Sequence, residues 1–242
     1  MKAGMIIQTG LTGSRFCAGV FSVTRHRGPA LMSFIKVIDP QQASGRLKKI
    51  YKRVQAPDGQ VDNVLQVHSL RPHSLEGHMA IYKAVLHHSS NHLPEWYLEA
   101  IGVLVSRLNG CSYCATHHAE GMKRLLKAES LEFNSYVQAL AADEPGGPFT
   151  VREQAGLAYA CKLTKKPGCI EAADIGALRH AGFDDGEILE INQVTAYFSY
   201  ANRTVSGLGV NIDGEILGQS PETGDDSCGW AHSGGSTAPD KS

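Results

Sequence analysis

From Pro40 onward the apolar residues of this 242-residue chain return every three or four positions, and no stretch alternates as a half-buried strand would. That periodicity constrains the fold more than any other feature. In "PQQASGRLKKIYKRVQ" it puts Leu47, Ile50, Tyr51 and Val54 on one helical face. Asp62 and Asn63 can cap a short helix running through Leu70. In "PHSLEGHMAIYKAVLHHS" Pro72 suits a first helical position, and Leu75, Met79, Tyr82 and Leu86 form one stripe. "PEWYLEAIGVLVSRLN" repeats the device from Pro94 and stops at Asn109 and Gly110, a normal helix end. Further helices are expected over about 111–127 and 131–142.

"DEPGGP" then breaks the pattern, and the second half resumes it. Thr150 with Glu153 has the spacing of a capping box before "VREQAGLAYACKLTKK". "IEAADIGALRHAG" and "DDGEILEINQVTAYFSYANRTVSG" complete the set. The second of these is rich in β-branched and aromatic residues, yet its length and its acidic start favour a buried helix. "EAIGVLVSRL" and "AGLAYACKL" echo each other weakly, as a duplicated helical hairpin would. The sequence therefore predicts an all-α fold with one helical domain over 33–213. Residues 1–32 read as an N-terminal extension and 214–242 as a disordered tail, because periodicity stops at Gly214. The first 31 residues carry Lys2, Arg15, Arg25 and Arg27 and no acid. That bias suits an organelle presequence, or an extension upstream of a start at Met32, which is the favoured reading.

The net charge of −1 gives no reason to expect nucleic acid or an acidic membrane surface as partner. No run of about 20 apolar residues is present to span a membrane. Six cysteines are too sparse for a disulfide scaffold, which points to a reducing, cytoplasmic setting. There a Cys-x-x-Cys pair is redox-active or metal-binding more often than structural.

That pair is Cys111 and Cys114, in "NGCSYCATHHAE". On a helix Cys111, Cys114 and His118 stand at i, i+3 and i+7 and share a face, while His117 lies about 100° round from His118. The helix N-terminus after Gly110 favours a thiolate at Cys111. Proximity to His118, four residues on, favours Cys114 instead. Glu99 is the sole acid between Trp96 and Glu120. In one straight helix it would be roughly 18 Å from Cys111. A reversal at Asn109 and Gly110 would instead set Glu99 level with His118 across helices about 8–10 Å apart. Carboxylate, imidazole and thiol would then align as an oriented base beside a nucleophile.

"EAIGVLVSRLNGCSYCATHH" resembles the alkylhydroperoxidase D (AhpD-like) and carboxymuconolactone decarboxylase superfamily, in particular its peroxidase-related branch. The shared pattern is a glutamate, twelve residues, Cys-x-x-Cys, and a histidine four further on. Here these are Glu99, Cys111, Cys114 and His118. "AYFSYANRTVSGLGV" is also similar, so the likeness covers about 33–213. The resemblance implies an oligomeric helical fold, a trimer or a multiple of it, and thiol-dependent hydroperoxide reduction without a cofactor or metal. It implies Cys114 as the peroxidatic and Cys111 as the resolving cysteine, with His118 and Glu99 as proton relay. It also implies an external dithiol as reductant, a lipoyl protein among the candidates. Tyr113 departs from members with histidine between the cysteines. Decarboxylase members lack this cysteine pair.

Other readings stay open at this point. A general dithiol-disulfide oxidoreductase or redox sensor would use the same pair. Zinc would need Cys111, Cys114, one of His117 or His118, and a fourth ligand. His88 and His92 read as a solvated helix end, and His68, His73 and His78 lack ligand spacing. Cys161 reads as a core residue and Cys169 as a loop residue. Lys48, Lys49, Lys52 and Arg53 read as a solvated face. Tyr197, Phe198 and Tyr200 read as packing aromatics, one of them a candidate for the pocket wall.

Overall fold

The structure, a computed structural model, describes residues 32–56, 59–127, 130–142 and 146–219. Among these residues there are nine α-helices and no strand. In chain order they are α1 (Gly45–Val54), α2 (Asn63–Gln66), α3 (Pro72–Leu86), α4 (Glu95–Leu108), α5 (Ser112–Leu126), α6 (Ser130–Ala141), α7 (Val151–Lys165), α8 (Ala172–His180) and α9 (Asp185–Leu208). The expected punctuation is present. Pro72 opens α3, Thr150 and Glu153 form a capping box on α7, and Asp184 forms another with Glu187 on α9.

α2 is shorter than the sequence suggested. It ends at Gln66 rather than running through Leu70. Past Gln66 the chain goes on in turns closed by i→i−3 bonds, the His68 N–H to the Leu65 carbonyl at 3.2 Å and the Ser69 N–H to the Gln66 carbonyl at 2.9 Å, and Pro72 then holds Arg71 out of the helical region with φ −141° and ψ 76°.

The core is built around α4, which is apolar on all sides, as a central helix must be. Leu98, Ala100, Ile101, Val103, Leu104 and Val105 are all buried. α4 packs against α3, α5, α6, α7 and α9. Its contact with α9 is unusually close: a Cβ on Gly102 would lie 2.3 Å from the Phe198 ring. The long α9 is buried along Ile188, Ile191, Val194, Tyr197, Phe198 and Ala201, as its composition predicted. The basic residues of α1 face outward, and Cys161 belongs to the core.

The chain continues past the last helix in a way that corrects the expected tail. Residues 214–219 fold back along α2 and α5, so the expectation of disorder from Gly214 onward does not hold for these six. The signal was absent because a strap seated by single polar contacts has no apolar period. The N-terminal extension with Cys17, and the chain from 220 with Cys228, lie outside the described residues. No described helix is long and apolar enough to cross a membrane.

Candidate active site

The reversal between α4 and α5 is made at Asn109 and Gly110. Gly110 takes φ +71°, a left-handed conformation that glycine adopts without a Cβ penalty. The Cys111 N–H then closes on the Ser106 carbonyl at 2.9 Å. Cys111 becomes the N-cap of α5, and the Cys114 N–H donates to its sulfur at 3.5 Å. Both thiols are free and buried.

The turn brings Glu99 and His118 together. The His118 Nδ1 and Glu99 Oε2 are 2.5 Å apart, and the Glu99 side chain is only 1 % exposed. Burial by itself pushes Glu99 up, but the charge and hydrogen bond of His118, with help from His87 and Arg124, hold it below its ordinary value. Glu99 is therefore an ionised carboxylate inside the core, stabilised by its imidazole partner. The Phe198 ring meets His118 edge-on at 4.5 Å and fixes its plane.

The two sulfurs divide one charge. The Cys114 thiol donates to Cys111; the Cys114 N–H, Ser206 and Asn202 add to that effect against the opposing effect of burial. Together they bring Cys111 down to about 6. That same hydrogen bond, burial and the charge on Cys111 push Cys114 well up. The resting thiolate is thus Cys111, as the helix N-terminus suggested, although Cys114 is the sulfur beside the relay. Asn202, on α9, ties the dithiol to the core: it donates to Ser106 at 3.0 Å and accepts from Asn109 at 3.0 Å.

The sulfurs also open onto different spaces. Cys114, with Glu99, His118, His117, Tyr82 and Tyr197, lines a narrow, partly enclosed cavity of about 50 Å³. Cys111 borders an open cleft of about 650 Å³ between α4, α5 and α6. His78 lines this cavity, and His68 and His87 are buried nearby, though no spacing or motif singles them out. His78 is buried against His68, ring centroids 4.7 Å apart, and burial followed by the neighbouring ring brings it down to about 3. It is a neutral imidazole, 3.5 Å from the Tyr197 hydroxyl. His87 is completely buried, pairs with Glu95 through Nδ1, and holds Nε2 4.0 Å from Glu99. Burial pushes the Tyr82 and Tyr197 hydroxyls well up, so both remain protonated.

His117 turns the other way, as its position on the helix required. Its Nε2 is 3.1 Å from Glu215, which also accepts from the Tyr113 hydroxyl at 2.8 Å. Tyr113 in turn accepts from the Val64 N–H at 3.2 Å. Among the described residues no three His, Cys, Asp or Glu side chains are grouped to hold a metal ion.

No protein-family model and no curated protein matches the chain. Solved structures do. A peroxidase-related protein with an alkylhydroperoxidase AhpD core from Ralstonia eutropha JMP134 superposes with a TM-score of 0.66 at 25 % identity, over 75 % of this chain and 93 % of that one. A peroxidase-related protein from Silicibacter sp. TM1040 gives 0.65 at 26 % identity, over 77 % of this chain and 95 % of that one. The chain has an AhpD-like fold and is similar to the superfamily's peroxidase-related members. The debrominase Bmp8 is a more distant neighbour, with a TM-score of 0.57 at 17 % identity over 76 % of this chain and 92 % of that one, a likeness of fold alone. The AhpD-like fold explains why α4, α5 and α9 converge where they do: together they carry Glu99, the dithiol, His118 and Asn202.

Proposed function

We propose that the protein reduces organic hydroperoxides or hydrogen peroxide with its dithiol. One observation carries this reading: an ionised, buried Glu99 holds His118 on the cavity that Cys114 lines, with a second thiol hydrogen-bonded to the first. The dithiol carries one negative charge at rest. The Cys114 proton passes to Cys111 along their hydrogen bond as substrate enters. The Cys114 thiolate attacks the terminal peroxide oxygen, the O–O bond breaks, and Cys114 becomes a sulfenic acid. The departing alkoxide takes a proton from His118, which Glu99 orients and which is replenished from solvent. Cys111 then displaces the sulfenic oxygen, the disulfide forms and water leaves. The dithiol loses two electrons and the peroxide gains them, giving an alcohol (or water) and a second water. An external dithiol, a lipoyl-bearing protein among the candidates, restores the thiols by exchange.

A stopped-flow peroxide titration of the reduced protein, with mass spectrometry of the products, tests this. Stoichiometric consumption with a Cys111–Cys114 disulfide as product is expected. A negligible rate overturns it. A second reading, dithiol-disulfide exchange without useful peroxidase activity, is favoured by the low-lying Cys111 thiol on the open cleft. Fast insulin reduction together with that negligible rate would select it.

A cytoplasmic homo-oligomer, a trimer or a multiple of it built on a duplicated helical hairpin, is part of the same proposal. The resemblance to the AhpD-like superfamily supports it. Light scattering after size exclusion tests it, and a monomer refutes it.

A further inference from the structure

We propose that the strap at residues 213–219 is a gate over the Cys114 cavity and that Glu215 is its latch, so that the strap sets the size of hydroperoxide reaching the sulfur. This rests on the peroxidase reading.

Four observations converge. The Glu215 side chain is only 4 % exposed, and three donors meet on it: the Tyr113 hydroxyl, the His117 ring and the Asn63 N–H. Burying a carboxylate is costly unless its oxygens are satisfied, so this cluster fixes where the strap sits. Next, the backbone of the strap lies directly on α5. Gly218 has φ +74°, and a Cβ there would come within 2.8 Å of Glu120 and 2.9 Å of the Gly121 nitrogen. Arg124 holds the Gly218 carbonyl in that seat. Third, Gly218 and Gln219 line the same cavity as Cys114 and His118. The Gln219 Oε1 is buried there without a partner among the described residues. A hydroperoxide O–H is a donor of the kind this acceptor lacks. Fourth, the strap is held mainly by polar contacts, since of its two large apolar side chains Ile216 is exposed and Leu217 only half-buried. A segment seated by polar contacts at few points opens more readily than the helices beneath it.

Size follows from the closed cavity. Its volume of about 50 Å³ is a third of the roughly 150 Å³ that accommodates benzene in an engineered cavity. Hydrogen peroxide and the shortest alkyl hydroperoxides fit beneath the closed strap. Aryl hydroperoxides enter only when Glu215 lets go.

The test uses the reduced full-length protein and its Glu215→Ala and Gly218→Ala variants. Initial alkylation rates at Cys114 and Cys111 are measured separately by mass spectrometry, with iodoacetamide as the small reagent and pyrene maleimide as the bulky one. Either variant is expected to raise the bulky-reagent rate at Cys114 by roughly tenfold or more, because access scales with the fraction of open strap. Cys111, on the other cleft, should change by less than about twofold. Unchanged selectivity at Cys114, or an equal rise at both cysteines, overturns the gate. Gly218→Ala removes no donor or acceptor, and circular dichroism confirms folding, so the pair separates unlatching from collapse. In the peroxide arm, the ratio of cumene hydroperoxide to hydrogen peroxide rates should rise in both variants. A wild-type protein that reduces neither peroxide refutes the peroxidase reading, while the alkylation arm still decides the gate.

Discussion

Two adjacent histidines on α5 each hold a carboxylate, and the two pairs are built differently. His118 meets Glu99, which projects from the most buried helix in the molecule. His117 meets Glu215, which arrives on a strap with no helix of its own. About 100° of helix rotation separates the rings, enough to send one into the core and the other toward the strap. In the proposed reaction the first pair moves a proton and must not move itself. The second holds a door. Chemistry rests on the part of the fold that opens least, and access on the part that opens most.

The comparison breaks most decisively at the sulfurs. Cys114→Ser should lower peroxide consumption by at least about 10³-fold, because the nucleophile is gone. Cys111→Ser should still trap a sulfenic acid at Cys114, detectable by dimedone labelling. A sulfenate on Cys111 in the Cys114→Ser protein would reverse the two roles.

The two pairs themselves come next. Glu99→Gln and His118→Asn should each cost about 10²–10⁴ in kcat/KM for hydrogen peroxide, the range of general acid–base catalysis. The double variant should lose no more than the worse single one, since the two act as a unit. His117→Asn should cost less than about tenfold with the same substrate, as a group outside the proton path. Equal losses at 117 and 118 would erase the distinction between relay and door.

A smaller effect concerns the resting charge. Cys111 is held down to about 6, so its thiolate is present above that pH and is lost as pH falls through it. Its iodoacetamide rate should therefore climb through pH 6 and level off above. Asn202→Ala removes a donor to the thiolate and should move the midpoint upward by less than about one unit. A midpoint near 9 in the wild type would place the charge elsewhere. The smallest effect lies far from both pairs: Thr150→Ala breaks the α7 capping box and should cost about 1 kcal/mol in urea unfolding with no change at either cysteine.

The difference between the pairs also decides how much of the site is legible in the amino-acid sequence. Glu99, Cys111, Cys114 and His118 are legible because two regular helices and one glycine turn convert sequence spacing directly into distance. Glu215 is not, since its contacts are set by an aperiodic segment whose path no hydrophobic period predicts. His87 is hidden for another reason. It follows the last turn of α3 beside polar residues, as a solvated end would, yet the start of α4 covers it and Glu95 pairs with it. The helix dipole alone points to the thiolate at the N-terminus of α5. The donors from Asn202 and Ser206 that help place it there come from α9, whose sequence marks it only as buried.

Phe198 touches two things at once: the edge of the His118 imidazole, and the space where a side chain on residue 102 would begin. The angle at which that imidazole faces its substrate is thus registered to how tightly two helices can be pressed together. Adding one carbon at 102 would be tolerated only with a smaller side chain at 198, so these two positions are bound to vary as one.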